Sequence, residues 1–347
     1  MKLLLKSLLR IRKMGLVLFG HGVTNNKTDS YIELLHTDFE KLKETITIFE
    51  ALGFEFISMA ELAALAQNDF KYNKNWIHLT FDDGYKNNYT LLYPYLKEKQ
   101  IPFSLFVSTH HIEKNERFST YKIRCAILHT KKEVRLPGLN QTLSPNTTRE
   151  QRIQFCKSIS RIFKTMDRAS SQKFMSYVEA LLSAEEWQYY NDLYREGELL
   201  TLDQLKVLAN DSLVHVGSHN HHHLILNKNV SDDDIRYEMQ ASRDWLQKNL
   251  KINLLTYCYP NGSKNDFSLN SKRICQSLGY KLAFTTVRQI ISPGVDKYEI
   301  PRVAFPSGGY RTITMRLIKL ALPAQVIHLA RVYGRKSSFS QRTLSPP

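Results

Sequence analysis

An α/β fold, a parallel sheet covered by helices and either open or closed into a barrel, is predicted by three features of the sequence. Short apolar runs alternate with segments whose apolar residues recur at helical spacing, the order expected of a parallel sheet. The chain has 347 residues, 42% of them hydrophobic, enough to bury a large core. Histidines and carboxylates gather just beyond the apolar runs, at the strand ends where α/β barrels keep their chemistry.

Leu16–Phe19 reads as the first buried strand. Phe39, Leu42, Ile46 and Phe49 then recur at helical spacing, with Gly53 where a C-terminal cap belongs. Ser58 and Glu61 form a capping-box pattern before Leu62 and Leu65. Trp76–Phe81 is the next strand and breaks at Asp82-Asp83-Gly84. A helical stretch over Tyr89–Lys99 leads to a strand at Phe103–Val107. Leu213–Gly217 is a further strand, and Ser231 with Asp234 opens a helix carrying Ile235, Met239, Leu246 and Leu250. Leu254–Tyr259 and Tyr280–Thr285 follow, with a last strand near Arg302–Phe305. These elements define a barrel domain over 14–308. Within it, 113–205 breaks the rhythm: Phe155, Ile159, Ile162 and Phe163, then Phe174, Tyr177 and Leu181, keep helical spacing in a segment rich in Lys, Arg, Ser and Gln. This segment reads as a helical insertion forming a lid or side subdomain.

Composition excludes several classes. No fixed-period repeat is present, and four scattered cysteines without CxxC spacing read as reduced thiols rather than a disulfide scaffold. Lys and Arg number 48 against 33 Asp and Glu, a net charge of +15. Twelve of those net charges lie in two acid-free end stretches, residues 1–13 and 311–347. The body carries only +3 and no nucleic-acid-reading motif, so no nucleic-acid partner is expected. The ends, 1–13 and 309–347, also carry apolar residues (Leu3, Leu4, Leu8, Leu9; Leu317, Leu320, Ile327) and read as basic amphipathic segments. They either lie on an anionic membrane surface or pack on the barrel. Lys6 and Arg10 interrupt the N-terminal apolar stretch and no small-residue cleavage site follows, so a signal peptide is not expected. No run of about 18 apolar residues predicts a transmembrane helix. The expectation is a cytoplasmic chain, peripheral on the inner membrane face.

Two clusters carry chemistry. Asp82 and Asp83 place adjacent like charges at a strand end, which is costly without a neighbouring positive group. Asp-Asp-Gly is also a common turn in which the carboxylates merely cap a helix. Gly217-Ser218-His219-Asn220-His221-His222-His223 follows another strand and holds four histidines in five positions. His219 and His223, four residues apart, face one point if the segment turns helically. Two imidazoles and one carboxylate with an open position form a catalytic zinc pattern. The absence of Glu at 220 excludes the HExxH arrangement. The bland alternative is a solvated His-rich loop.

These residues resemble the polysaccharide deacetylases of the NodB-homology type. Thr80-Phe81-Asp82-Asp83-Gly84 matches that family's first motif letter for letter. Gly217-Ser218-His219 through His223 is similar to its second, a His-x-x-x-His metal pair, with Asn220 in place of the usual Ser or Thr. Tyr257-Cys258-Tyr259-Pro260-Asn261-Gly262 is similar to the third motif in a branch lacking its Arg, and Gly279 through Thr286 to the stretch that follows. The resemblance covers most of 15–306 apart from the insertion. It implies a distorted (β/α) barrel of about seven strands, a divalent metal on Asp83, His219 and His223, and Asp82 as general base. The metal expected is zinc, with nickel, cobalt or manganese as alternatives.

The sequence departs from the family's last motif, a Leu-x-x-His that supplies the general acid; 287–306 contains no His. Gly20-His21-Gly22-Val23 resembles a motif of the permuted poly-N-acetylglucosamine deacetylase branch, where the acid His comes first. His21 is therefore the candidate acid, with His110 and His111 as competitors and a packing role as the alternative. The implied activity is metal-dependent removal of an N-acetyl or other small acyl group from an amino sugar in a polysaccharide or lipid-linked glycan. A backbone N–H near Asn261 would hold the oxyanion, and Tyr259 and Pro260 would shape the wall beside the acyl methyl. The rivals are a deformylase acting on a lipid-linked sugar and a carbohydrate-binding pseudoenzyme.

Overall fold

The structure, a computed structural model, describes Leu9 and residues 13–135, 142–306 and 308–321. Its strands are β1 (Gly15–Gly20), β2 (Val23–Thr24), β3 (Thr37–Asp38), β4 (Glu55–Phe56), β5 (Trp76–Asp83), β6 (Phe103–Val107), β7 (Val134–Arg135), β8 (Thr142–Leu143), β9 (Val214–Ser218), β10 (Thr256–Cys258), β11 (Leu282–Phe284) and β12 (Val303–Ala304). Seven form one parallel sheet in the order β11-β10-β9-β6-β5-β1-β12, with β4 also paired to β5. The sheet curls so that its two edges meet through a single stretch. The N–H of Ile300 donates to the Ala283 carbonyl of β11, and three residues later Val303 pairs with Leu18 of β1. The result is the distorted (β/α) barrel of the NodB-like type, with seven strands.

Period-two alternation sorts the strand residues into two layers. Leu16 and Leu18, Ile77, Leu79 and Phe81, Phe103 and Leu105, and Val214 and Val216 pack under the surrounding helices. Val17, Trp76, Phe106, Cys258 and Phe284 fill the barrel interior instead. The interior is not wholly apolar. His78 bonds the Ile57 carbonyl and the Ser104 hydroxyl, each at 2.8 Å, and His215 bonds Thr256 Oγ1 at 2.8 Å. Gly217 is required by this closeness: a Cβ there would lie 2.4 Å from Thr256 Oγ1 and 2.6 Å from the Phe106 ring.

Around the sheet, helices run over Phe39–Ala51, Met59–Gln67, Asp232–Leu250 and Leu269–Ser277. The Ser58–Glu61 capping box forms as the sequence predicts. The stretch read as one helix over Tyr89–Lys99 is a π-turn, Asn88–Leu92, leading into a helix at Tyr93–Glu98 with Pro94 in its first turn. Pro lacks an N–H and is tolerated only there.

Between β6 and β9 lie helices Thr109–Lys114, Ser119–His129, Arg149–Phe163, Arg168–Glu179, Ala184–Leu193 and Leu202–Ala209, with a β7–β8 hairpin that helical periodicity does not predict. Ile127, Phe155, Cys156, Ile159 and Val178 form a core of their own there. The chain rejoins the barrel at Leu199, bridged to Tyr85.

Of the basic ends, most residues lie outside those described. Leu9 is 2% exposed and helix Tyr310–Ala321 buries Ile313 and Leu317, so Leu9 and Leu317 face the barrel core. No helix among the described residues is long and apolar enough to cross a membrane.

Burial lowers the pKa of His78 to about 4 and of His215 to about 3, so both rings are neutral in the native chain. An unfolded imidazole titrates near 6.5. The stability held by these rings is therefore complete above pH 6.5 and is lost as pH falls from 6.5 toward 4. Urea unfolding is expected to lose about 1.4 kcal/mol per pH unit for each ring across that interval. An unfolding free energy that stays constant from pH 7 to pH 5 contradicts this.

Candidate active site

Register brings the chemistry to one level. Asp83 of β5 pairs with Val107, and Val107 with Ser218, so β5 ends beside the loop that carries the histidines. Strand alternation alone would turn Asp82 and Asp83 to opposite faces. Asp83 instead takes a left-handed φ of 77°, and both carboxylates line the same cavity of about 940 Å³. Asn220, His223 and Asn261 also have positive φ, at 69°, 57° and 61°. Each such non-glycine conformation costs about 1–3 kcal/mol, and strain of this kind collects at functional sites.

Asp83, His219 and His223 come together. Asp83 Oδ1 lies 3.6 Å from His219 Nε2 and 3.5 Å from His223 Nε2, and the three donors all lie within 4.8 Å of one another. His219 Nδ1 bonds the Cys258 carbonyl at 2.8 Å, which leaves Nε2 facing the group. Such outer partners fix the tautomer of a metal-binding imidazole. Asp83 Oδ1 is buried without a hydrogen-bond partner. An orphaned carboxylate oxygen facing two imidazole nitrogens is a donor set that fits a divalent transition ion. Burial pushes the Asp83 carboxyl up, but the close approach of His223, with His21 and His219 nearby, outweighs it and holds it well below the usual range.

Asp82 is 2% exposed and clamped by a residue the sequence reading missed. Arg302, fully buried, donates Nη1 to Asp82 Oδ1 and Nη2 to Oδ2, each at 2.7 Å. Its Nε donates to the Thr285 carbonyl and Nη1 also to Thr80 Oγ1, both at 3.0 Å. Burial raises the Asp82 pKa, but Arg302's charge and hydrogen bonds, with His219 and His21 beyond, hold it below the ordinary value. Each carboxylate oxygen accepts more than one hydrogen bond, so Asp82 retains acceptor capacity. Cys258 Sγ lies 3.7 Å from Asp82 Oδ1, and burial pushes this thiol well up.

His21 is half-buried at the end of β1 and lines the same cavity as Asp82, Asp83, His219 and His223. Gly22 beside it is needed because a Cβ there would fall 2.2 Å from the His36 ring. The competitor His111 also lines the cavity, but it is buried, stacked on Phe118 at 4.3 Å and bonded through Nδ1 to Ser108 Oγ. His110 is turned toward His221 and His222.

The third predicted group divides. Asn261 lines the cavity, and its backbone N–H donates to no group among the described residues. Its loop is fixed by Thr286, whose Oγ1 donates to the Asn261 carbonyl at 2.8 Å. The Tyr259 ring, read from the sequence as part of the cavity wall, packs outward on Phe267 at 4.5 Å and is fully buried among helices. Pro260 is buried and does not line the cavity. Alternation along β10 is the cause: Tyr257 and Tyr259 face out, and Cys258 faces in. That signal was available in the sequence.

The polysaccharide deacetylase family model matches residues 70–283. Among solved structures, the Streptococcus pyogenes deacetylase PplD in complex with acetate is 18% identical with a TM-score of 0.55, over 89% of this chain and 99% of that one. IcaB from Ammonifex degensii is 14% identical with a TM-score of 0.57, over 88% and 97%. A de-N-acetylase from Aggregatibacter actinomycetemcomitans is 14% identical with a TM-score of 0.52, over 87% and 99%. At these identities the structures share the fold. No curated protein matches the sequence significantly. With the family model matching well over half of the chain, this protein belongs to the polysaccharide deacetylase family, a family of carbohydrate-esterase hydrolases.

Proposed function

We propose that the chain is a metal-dependent hydrolase that removes an N-acetyl group from an amino sugar of a glycan. The observation that carries this is the triangle of buried Asp83 and His219 with half-buried His223, with its orphaned carboxylate oxygen, beside an ionised Asp82 on one cavity wall. Deacetylases among its structural neighbours, one holding acetate, favour acetyl as the acyl group. A divalent ion on the triangle, zinc by its donor set, supplies Lewis-acid polarisation of the acyl carbonyl and a water with a pKa near 7.

The chain's own residues do the rest. Asp82 accepts the proton of the attacking water, its charge and orientation set by Arg302. The free N–H of Asn261 donates to the oxyanion as it develops. His21, on a different strand end, protonates the amine nitrogen as the C–N bond breaks, because an amine does not leave as an anion.

A second reading has its own observation. The helical segment 113–205, which we take as a lid, adds Lys157, Arg161 and Lys164 to the cavity wall beside apolar Phe163, Met166 and Met175. Cations next to an apolar surface suit a phosphate-linked lipid carrying the sugar. Exposed Arg311 and Lys319 on helix Tyr310–Ala321 suit an anionic membrane surface beside it.

Acetate release from N-acetylated oligosaccharides tests the first reading. Zinc-loaded protein is expected to release acetate, and chelation or Asp83→Ala to abolish it. In the same assay His21→Ala should lower turnover by about 10²-fold or more with metal content unchanged. Full activity in His21→Ala with loss of activity in His111→Ala moves the acid to His111; no acetate from any N-acetylated glycan contradicts the proposal. For the second reading, Lys157→Ala/Arg161→Ala is expected to raise KM for a prenyl-diphosphate sugar about tenfold or more, and to leave a neutral oligosaccharide unaffected. Equal effects on both substrates exclude it.

A further inference from the structure

Outside the triangle of Asp83, His219 and His223, a second group of imidazoles converges on the cavity side. His110, His221 and His222 each offer a ring nitrogen within 4.8 Å of the others'. Their ring centroids are 4.4 Å apart for His110 and His222, 4.4 Å for His221 and His222, and 5.4 Å for His110 and His221. All three are half-buried rather than splayed into solvent.

What separates this cluster from a loose His-rich loop is the partner behind each ring. His222 Nδ1 bonds Glu238 Oε1 at 2.8 Å, and Glu238, fully buried, also accepts the His222 backbone N–H through Oε2 at 2.8 Å. His221 Nδ1 bonds Thr109 Oγ1 at 2.8 Å. His110 Nε2 lies 3.2 Å from Glu116 Oε2. One nitrogen of each ring is thus held from behind, and the other makes no hydrogen bond among the described residues. This is the arrangement that orients imidazoles for a metal, with a carboxylate or hydroxyl behind each ligand. The two carboxylates also offset the charge of a bound cation, and of Arg168, which sits over the Tyr237 ring beside His222.

We propose that His110, His221 and His222 form a second metal site for a borderline-soft divalent ion such as zinc, nickel or cobalt. Three nitrogen ligands select these ions over magnesium or calcium. A tetrahedral ion with bonds of about 2.0–2.1 Å sets its ligands roughly 3.3 Å apart, so the rings close by a small side-chain adjustment. Two of the ligands belong to the loop that carries His219 and His223. The third belongs to helix Thr109–Lys114, already tied to that loop by His110 N–H to the His221 carbonyl at 2.9 Å. An ion here staples the ligand loop to its neighbouring helix.

The test is metal stoichiometry and cobalt spectroscopy on the full chain, stripped with chelator and reloaded. Wild type is expected to bind two ions per chain, and both His110→Ala and His222→Gln to bind one. In Asp83→Ala/His219→Ala/His223→Ala, the visible bands of a four-coordinate cobalt site are expected to persist, and to vanish when His110→Ala is added. One ion per wild-type chain that is lost in Asp83→Ala/His219→Ala/His223→Ala overturns the second site, and so does two-ion binding by both His110→Ala and His222→Gln. Absence of acetate release, by contrast, bears on the proposed reaction alone. His222→Gln keeps a hydrogen bond to Glu238, so a folding failure of one variant leaves the other to decide.

Discussion

Arg302 and Asp82 meet inside the barrel, where neither reaches water, joined by two hydrogen bonds of 2.7 Å. Burying either charge alone costs several kcal/mol, and removing one partner of such a pair costs about 3–5 kcal/mol. The pair is tolerable because two more of Arg302's donors are satisfied by Thr80 and Thr285, on β5 and just beyond β11. Arg302 also sits on the single stretch that joins the two edges of the sheet, immediately before β12. The stretch that closes the barrel therefore also carries the charge that holds Asp82 ionised. The positions around it follow: Asp83 turned by its left-handed backbone, His219 anchored on the Cys258 carbonyl, and both facing the mouth.

That mouth carries backbone strain at Asp83, Asn220, His223 and Asn261. The scaffold below it can hold such strain because β5 is buried along its whole length and paired on both sides. A parallel strand buried on both faces leaves its end little freedom. Asp83 is forced toward the cavity rather than relaxing into an ordinary extended conformation.

Much of this was legible in the sequence. Phe103–Val107 was read to the residue, because a buried parallel strand bounded by Pro102 and Ser108 is a clean signal. The placing of Asp82, Asp83, His219, His223 and His21 on one cavity wall follows from their positions after strands. Arg302 was not legible. It lies 220 residues from Asp82, at the start of the last strand the sequence predicts, and only the closure of the barrel brings them together. The assignment of Tyr259 to the cavity wall failed for a simpler reason, since period-two alternation from the inward Cys258 already turns its ring to the helices. The basic, partly apolar ends fit a membrane surface and packing on the barrel equally well from sequence. Charge does not reveal that Leu9 and Leu317 are buried in the barrel core.

The proposed reaction requires Asp82 to act as a base beside, and not within, the triangle of Asp83, His219 and His223. Turnover and metal content of Asp82→Asn, measured on the same preparation, test it most directly. The substitution keeps the shape and removes the charge. Turnover on an N-acetylated oligosaccharide is expected to fall by roughly 10²–10⁴-fold with metal content unchanged. Normal turnover, or loss of the metal with activity restored on reloading, would contradict it.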